Sequence, residues 1–183
     1  MAKDLKKIKD RFNTESEETK IKEDFEKIEN DFTVYKFNPD NRSLSALHDI
    51  LDNIQDIQTQ LGKLKAKALK EEARCELCFY DCKDVYDERY DDELNELKGN
   101  ETFKNAGEKT SHVKKLLRNE ENNIEAYVKY FEKKKIKIKS ILKRIETYIK
   151  VVDEMDDKSS RKISLMNLQR ELGTLVDIKM KRD

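Results

Sequence analysis

The 183-residue chain has no tryptophan, a single proline and only four glycines. Folds rich in strands and tight turns draw on Gly and Pro at those turns, so this scarcity argues against an all-β or α/β architecture. Long apolar runs are missing as well. Nothing approaches the roughly 20 residues that span a bilayer, and the opening MAKDLKKIKD lacks the apolar centre of a signal peptide. A chain that stays in the cytoplasm and does not enter a membrane is expected. There is no glycine-rich phosphate loop, no nucleophile elbow and no metalloprotease helix. The two histidines, His48 and His112, have no carboxylate partner at motif spacing. The sequence is therefore read as a non-enzyme with no catalytic residues and no cofactor.

The three cysteines fall together in CELCFYDC, residues 75–82. An odd, clustered set of thiols is no secreted disulfide framework, and reduced thiols are the default. Structural zinc needs four ligands in a tetrahedron. Cys75, Cys78 and Cys82 stand at i, i+3 and i+7, which on a helix separates the outer sulfurs by about 10 Å. They are expected to serve as small apolar core residues, with no metal site.

Charge is abundant: 39 Lys and Arg balance 39 Asp and Glu, and charged residues make up 43% of the chain. Such a composition, with apolar residues at helical spacing, predicts long helices or coiled coils. Ile21, Phe25, Ile28 and Phe32 form one narrow seam near the N-terminus, and the break around Pro39 separates this arm from the body. Ser43 is a candidate N-cap. From there a seam runs through Leu44, Leu47, Leu51, Ile54, Leu61, Leu64 and Ala68, takes a polar step at Glu71 and continues through the cysteines to Val85. GNETFKNAGEKTS (99–111) reads as the turn. A second seam follows from Val113 to Met155, with Glu120 and Lys134 as its polar interruptions. DDKSS (156–160) reads as a break before a shorter amphipathic helix that carries Leu165, Leu168, Leu172 and Leu175 on one side.

The expected fold is all-α: a long antiparallel, coiled-coil-like helical hairpin (43–157) with an N-terminal helical arm and linker (1–42) and a C-terminal helix (158–183). One narrow seam per helix leaves apolar surface to cover, so the chain is expected to be oligomeric through that last helix.

Folding the hairpin about residue 105 sets position 65 beside 145. It thereby brings two basic runs together: Lys63, Lys65, Lys67 and Lys70 on the first helix, and Lys137, Lys139, Lys143 and Arg144 on the second. The stretch 129–150 holds nine Lys or Arg against two Glu, whereas 81–101 holds nine acidic residues against three basic. A basic stripe with tyrosines nearby suits the phosphate backbone of an unpaired nucleic acid strand.

Three stretches carry a resemblance. LKAK (64–67) is similar to the Leu-Lys-Ala-Arg motif of the phage recombination mediators of the UvsY type, with lysine in place of the arginine. SHVKKLLRNEENNI (111–124) resembles the opening of that family's second helix, and KSSRKISLMNLQRELG (158–173) its C-terminal end. The resemblance implies single-stranded DNA binding with Lys65 and Lys67 in the site, ring-like homo-oligomers held through the C-terminal helix, and loading of a RecA-like recombinase in recombination and repair. Single-strand-binding protein is then a further partner, and the host cell cytoplasm is the location if the chain is phage-encoded. Two other readings stand beside it: a coiled-coil scaffold or adaptor without nucleic-acid binding, and a small inhibitor that docks its acidic end on a nucleic-acid-binding enzyme.

Overall fold

A computed structural model of the chain describes residues 17–34, 42–98, 102–103, 105–119 and 123–180. They form four helices: α1 Glu17–Val34, α2 Leu44–Glu96, α3 Ala106–Asn119 and α4 Ile124–Met180. The described residues contain no strand, and the fold is all-α.

Three helix starts have a side-chain cap. Ser43 Oγ accepts from the Ala46 amide at 3.3 Å, Asn105 Oδ1 from Glu108 at 2.9 Å, and Asn123 Oδ1 from Ala126 at 3.0 Å. Each satisfies an amide that has no partner within its helix. The first cap was expected. The other two divide the expected second helix differently: α3 already begins at Ala106, and the helix starts afresh at Ile124. Glu120, an expected polar interruption, lies outside the described residues.

The expected break at 156–160 is absent, because α4 continues to Met180. DDKSS contains neither Gly nor Pro, and Asp and Ser disfavour a helix interior by only a few tenths of a kcal/mol, about 0.5 each. Ser159 is 1% exposed, one heptad beyond Val152 on the same seam, so the segment is held by packing. The C-terminal leucines therefore ride on the same helix as the basic run.

The chain divides into two compact units, Met1–Glu18 with Ala68–Ser140 and Thr19–Lys67 with Ile141–Asp183. In the first, α2 and α4 run antiparallel, as the pairs Glu72 with Lys139 and Glu76 with Lys135 require. Cys78 and Cys82 pack on Phe131, flanked by Phe79, Val85, Tyr127 and Val128. All three cysteines are buried and reduced, on the stripe expected for them. Val113 and Leu117 of α3 are buried too.

The two polar steps of the seams meet in this unit. Glu71 Oε1 lies 3.1 Å from Lys134 Nζ, both side chains 5% exposed, and Arg74 donates to both Glu71 oxygens at 2.7 Å. Burial pushes the Glu71 carboxyl up, but the hydrogen bonds from Arg74 and Lys134 outweigh it and hold the group below its ordinary range.

In the second unit three helices share a core. Ile21, Phe25 and Ile28 of α1 are buried together with Leu47, Ile54, Leu61 and Leu64 of α2 and with Ile145, Val152 and Ile163 of α4. Burial of each α1 residue contributes about 2 kcal/mol. This anchors a helix whose sequence is otherwise polar. The N-terminal seam is thus a packing surface and not a free arm, while residues 1–16 and 35–41 lie outside the described residues.

Candidate nucleic-acid interface

The second unit joins two basic segments that are distant in sequence. Lys65 Nζ meets Glu146 Oε1 at 2.9 Å, and Gln58 Nε2 donates to Asp153 Oδ1 at 2.9 Å. Moving seven residues back along α2 advances seven along α4, the mark of an antiparallel pair in constant register. The expected neighbour of position 65 was 145, and the observed partner is one residue on. Lys63, Lys65 and Lys67 of α2 thereby share a unit with Lys143 and Arg144 of α4.

Their directions differ because each helical residue turns about 100° from the last. Lys65 points to the α4 flank. Lys63 and Lys67, four apart, point to the α1 flank, where with Gln60 and Leu64 they line one wall of a cleft of about 320 Å³; Asp24, Lys27, Ile28 and Asp31 of α1 form the other wall.

α1 supplies the carboxylates here. Lys67 Nζ is 3.6 Å from Asp24 Oδ2, with both side chains well exposed. Arg144 is 3.1 Å from Glu29 Oε2, and its guanidinium lies 5.1 Å from the centre of the Phe25 ring. Tyr148 closes the arrangement: its hydroxyl donates to the Glu29 carbonyl at 3.3 Å, and its ring stands edge-on to Phe25 at 5.6 Å and to Phe32 at 5.3 Å. Lys63 and Lys143 are exposed and make no ion pair with a described residue.

The other three expected binding residues belong to the first unit. Lys70 is exposed without an ion pair to a described residue. Lys137 lies 3.6 Å from Glu18, and Lys139 lies 3.5 Å from Glu72. Exposed pairs of this kind contribute about 0–1 kcal/mol each and exchange readily with other ions.

Tyr148 was expected beside the basic stripe, together with Tyr127 and Tyr130, whereas Asp24 and Glu29 were not anticipated as part of this surface. Asp24 and Glu29 directly flank the α1 seam at Phe25 and Ile28, the positions that choose partners in coiled coils. The flanking was readable from the sequence, whereas the identity of the facing helix was not.

The expected oligomerisation residues lie near the end of α4. Leu165, Leu168 and Leu172 are 53%, 57% and 53% exposed. The Leu175 side chain lies outside the described residues. No helix is long and apolar enough among the described residues to cross a membrane.

No protein-family model, curated protein or solved structure matches this chain.

Proposed function

We propose that this chain is a non-enzymatic helical protein that binds single-stranded DNA without sequence preference and acts as a recombination mediator, helping to load a RecA-like recombinase. The observation that carries the reading is the convergence in one unit of Lys63, Lys65 and Lys67 with Lys143 and Arg144, two basic segments separated by 75 residues of sequence between Lys67 and Lys143. Five cations within one folded unit, on the α1 and α4 flanks of α2 and on the facing part of α4, offer phosphate several points of attachment, and lysine supplies charge without base readout. The exposed leucines of α4 supply the self-association that a mediator filament or ring needs. Recombinase, single-strand-binding protein and the cytoplasm of a phage-infected cell belong to this reading as its partners and its place.

Fluorescence anisotropy with a labelled oligonucleotide tests it. Binding is expected to weaken steeply with salt as phosphate contacts give way to counterions. Lys65→Ala with Lys67→Ala is expected to lower the affinity about tenfold. Absence of salt-sensitive binding overturns the reading.

One observation favours a scaffold or adaptor instead: Lys65, Lys67 and Arg144 each face a carboxylate of their own unit. In that reading the charges fix helix register and partner choice. An unchanged anisotropy signal together with capture of a helical protein partner would decide for it.

A further inference from the structure

We infer that α1 is an acidic cover that competes with nucleic acid for Lys67 and Arg144. The inference rests on the nucleic-acid reading of the second unit and assigns that surface a built-in restraint.

Three observations lead to it. First, α1 carries seven carboxylates against three lysines, so a strand approaching its flank meets negative potential. Secondly, two of those carboxylates are engaged with the cations in question: Asp24 holds Lys67, and Glu29 holds Arg144, whose guanidinium also rests on the Phe25 ring. A phosphate that takes either cation must displace a carboxylate making the same kind of contact. Thirdly, the cover is anchored by apolar contacts and not by the ion pairs. Ile21 and Phe25 are each 1% exposed, while the Lys67–Asp24 pair is open to water. The carboxylates are thus held in place at the surface by a buried seam beneath them.

When the competent state is a fraction of the population, the apparent affinity falls by that fraction, and whatever loosens the cover restores it. Lys65 and Lys143 are not held by α1. Lys65 pairs within the α2 and α4 couple, and Lys143 is exposed. Weak binding through these residues with α1 in place, and tighter binding once α1 yields, gives a graded response.

The test uses the full-length chain and a labelled oligothymidylate at low salt. Replacing Asp24→Asn together with Glu29→Gln removes both competing carboxylates with little change of shape. Affinity is expected to rise about tenfold, and the slope of log affinity against log salt to steepen by about 1.4, the value for two further phosphates on a single strand. Glu23→Gln with Glu26→Gln makes the same change in net charge on α1, away from Lys67 and Arg144, and is expected to give a smaller gain and an unchanged slope. Phe25→Ala, which alters no charge, loosens the anchor and is expected to tighten binding about threefold. Circular dichroism checks that each variant keeps its helix content. Equal gains in the two double variants, or unchanged affinity in Asp24→Asn with Glu29→Gln, overturn the competition while leaving nucleic-acid binding intact. No salt-sensitive binding by wild type or by any variant overturns the nucleic-acid reading itself, and the competition with it.

Discussion

Glu71 and Lys134, the polar steps in two otherwise apolar seams, face each other at 3.1 Å with both side chains 5% exposed. A buried pair of this kind repays its desolvation only when its remaining hydrogen-bonding capacity is used, and here Arg74 uses that of Glu71. Its physical role is register: sliding α2 against α4 by one turn leaves both charges against apolar neighbours. Glu71→Leu abandons Lys134 in the core and is expected to cost about 3–5 kcal/mol. Lys134→Met leaves Glu71 its two Arg74 bonds and is expected to cost less, about 1–3 kcal/mol. The double variant is expected to recover most of the Glu71→Leu loss. Urea unfolding of all four proteins measures the coupling, and simple additivity of the two losses would refute the pairing.

A second ion cluster ties α3 to α4. Arg118 and Lys129 both bind Glu125, and the Arg118 bond foremost lowers its carboxyl from 4.5 to about 2. The folded-state value lies below the unfolded one, so the unfolded chain takes up the proton first as pH falls. The stabilisation is therefore complete above the unfolded value and is lost between about pH 5 and about pH 2. Glu71, also lowered, acts in the same direction. Thermal unfolding followed across that range is expected to show a falling midpoint. Glu125→Gln is expected to flatten the fall, and high salt to reduce the difference between the two proteins, since Arg118 is largely exposed. A parallel pH dependence in wild type and Glu125→Gln would refute the assignment.

Much of this architecture was legible in the sequence because helical periodicity is a local signal. The Ser43 cap, the seam through Leu47, Ile54, Leu61 and Leu64, and the burial of the cysteines all follow from spacing alone. Helix ends were less legible. Asn123 restarts a helix inside what reads as an unbroken heptad run, and DDKSS stays helical because the burial of Ser159 overrides weak local preferences. Cross-helix pairing was legible only to about one residue, enough to set 65 near 146. The partners of the cations were not legible at all. Asp24 with Lys67 and Glu29 with Arg144 depend on where α1 docks, a contact between segments separated by more than 40 residues of sequence.

The cysteines make a chemical prediction. Burial first, and then the charge of Glu71, push the Cys75 thiol up to about 11. At neutral pH about one thiol in ten thousand is then the reactive thiolate, and its sulfur sits 3.7 Å from Glu71 Oε1 at a buried position. Cys78 and Cys82 are 3% and 0% exposed. A thiol reagent added to the native chain is expected to find no fast-reacting cysteine, and all three are expected to react once urea is present. Rapid labelling of Cys75 in the native protein would contradict its place in the core.

The end of α4 has no α2 beside it. Continuing the register of Lys65 with Glu146 and Gln58 with Asp153 puts Leu44, the first residue of α2, level with Asn167, while α4 runs on to Met180. That leaves about 20 Å of helix beyond its partner. Leu168 and Leu172 stand four apart on this extension, each more than half exposed, with Leu165 one turn before Leu168. Side chains of this size in a row lose roughly 2 kcal/mol each by staying in water, so the extension is expected to pair with that of a second copy. Analytical ultracentrifugation at micromolar concentration is then expected to give a mass above the 21.7 kDa of one chain. Leu168→Asp with Leu172→Asp is expected to reduce it to that value without loss of helix content, since neither residue is buried within the chain. A wild-type chain that sediments as a monomer, or a double variant whose mass is unchanged, would show that these leucines join nothing.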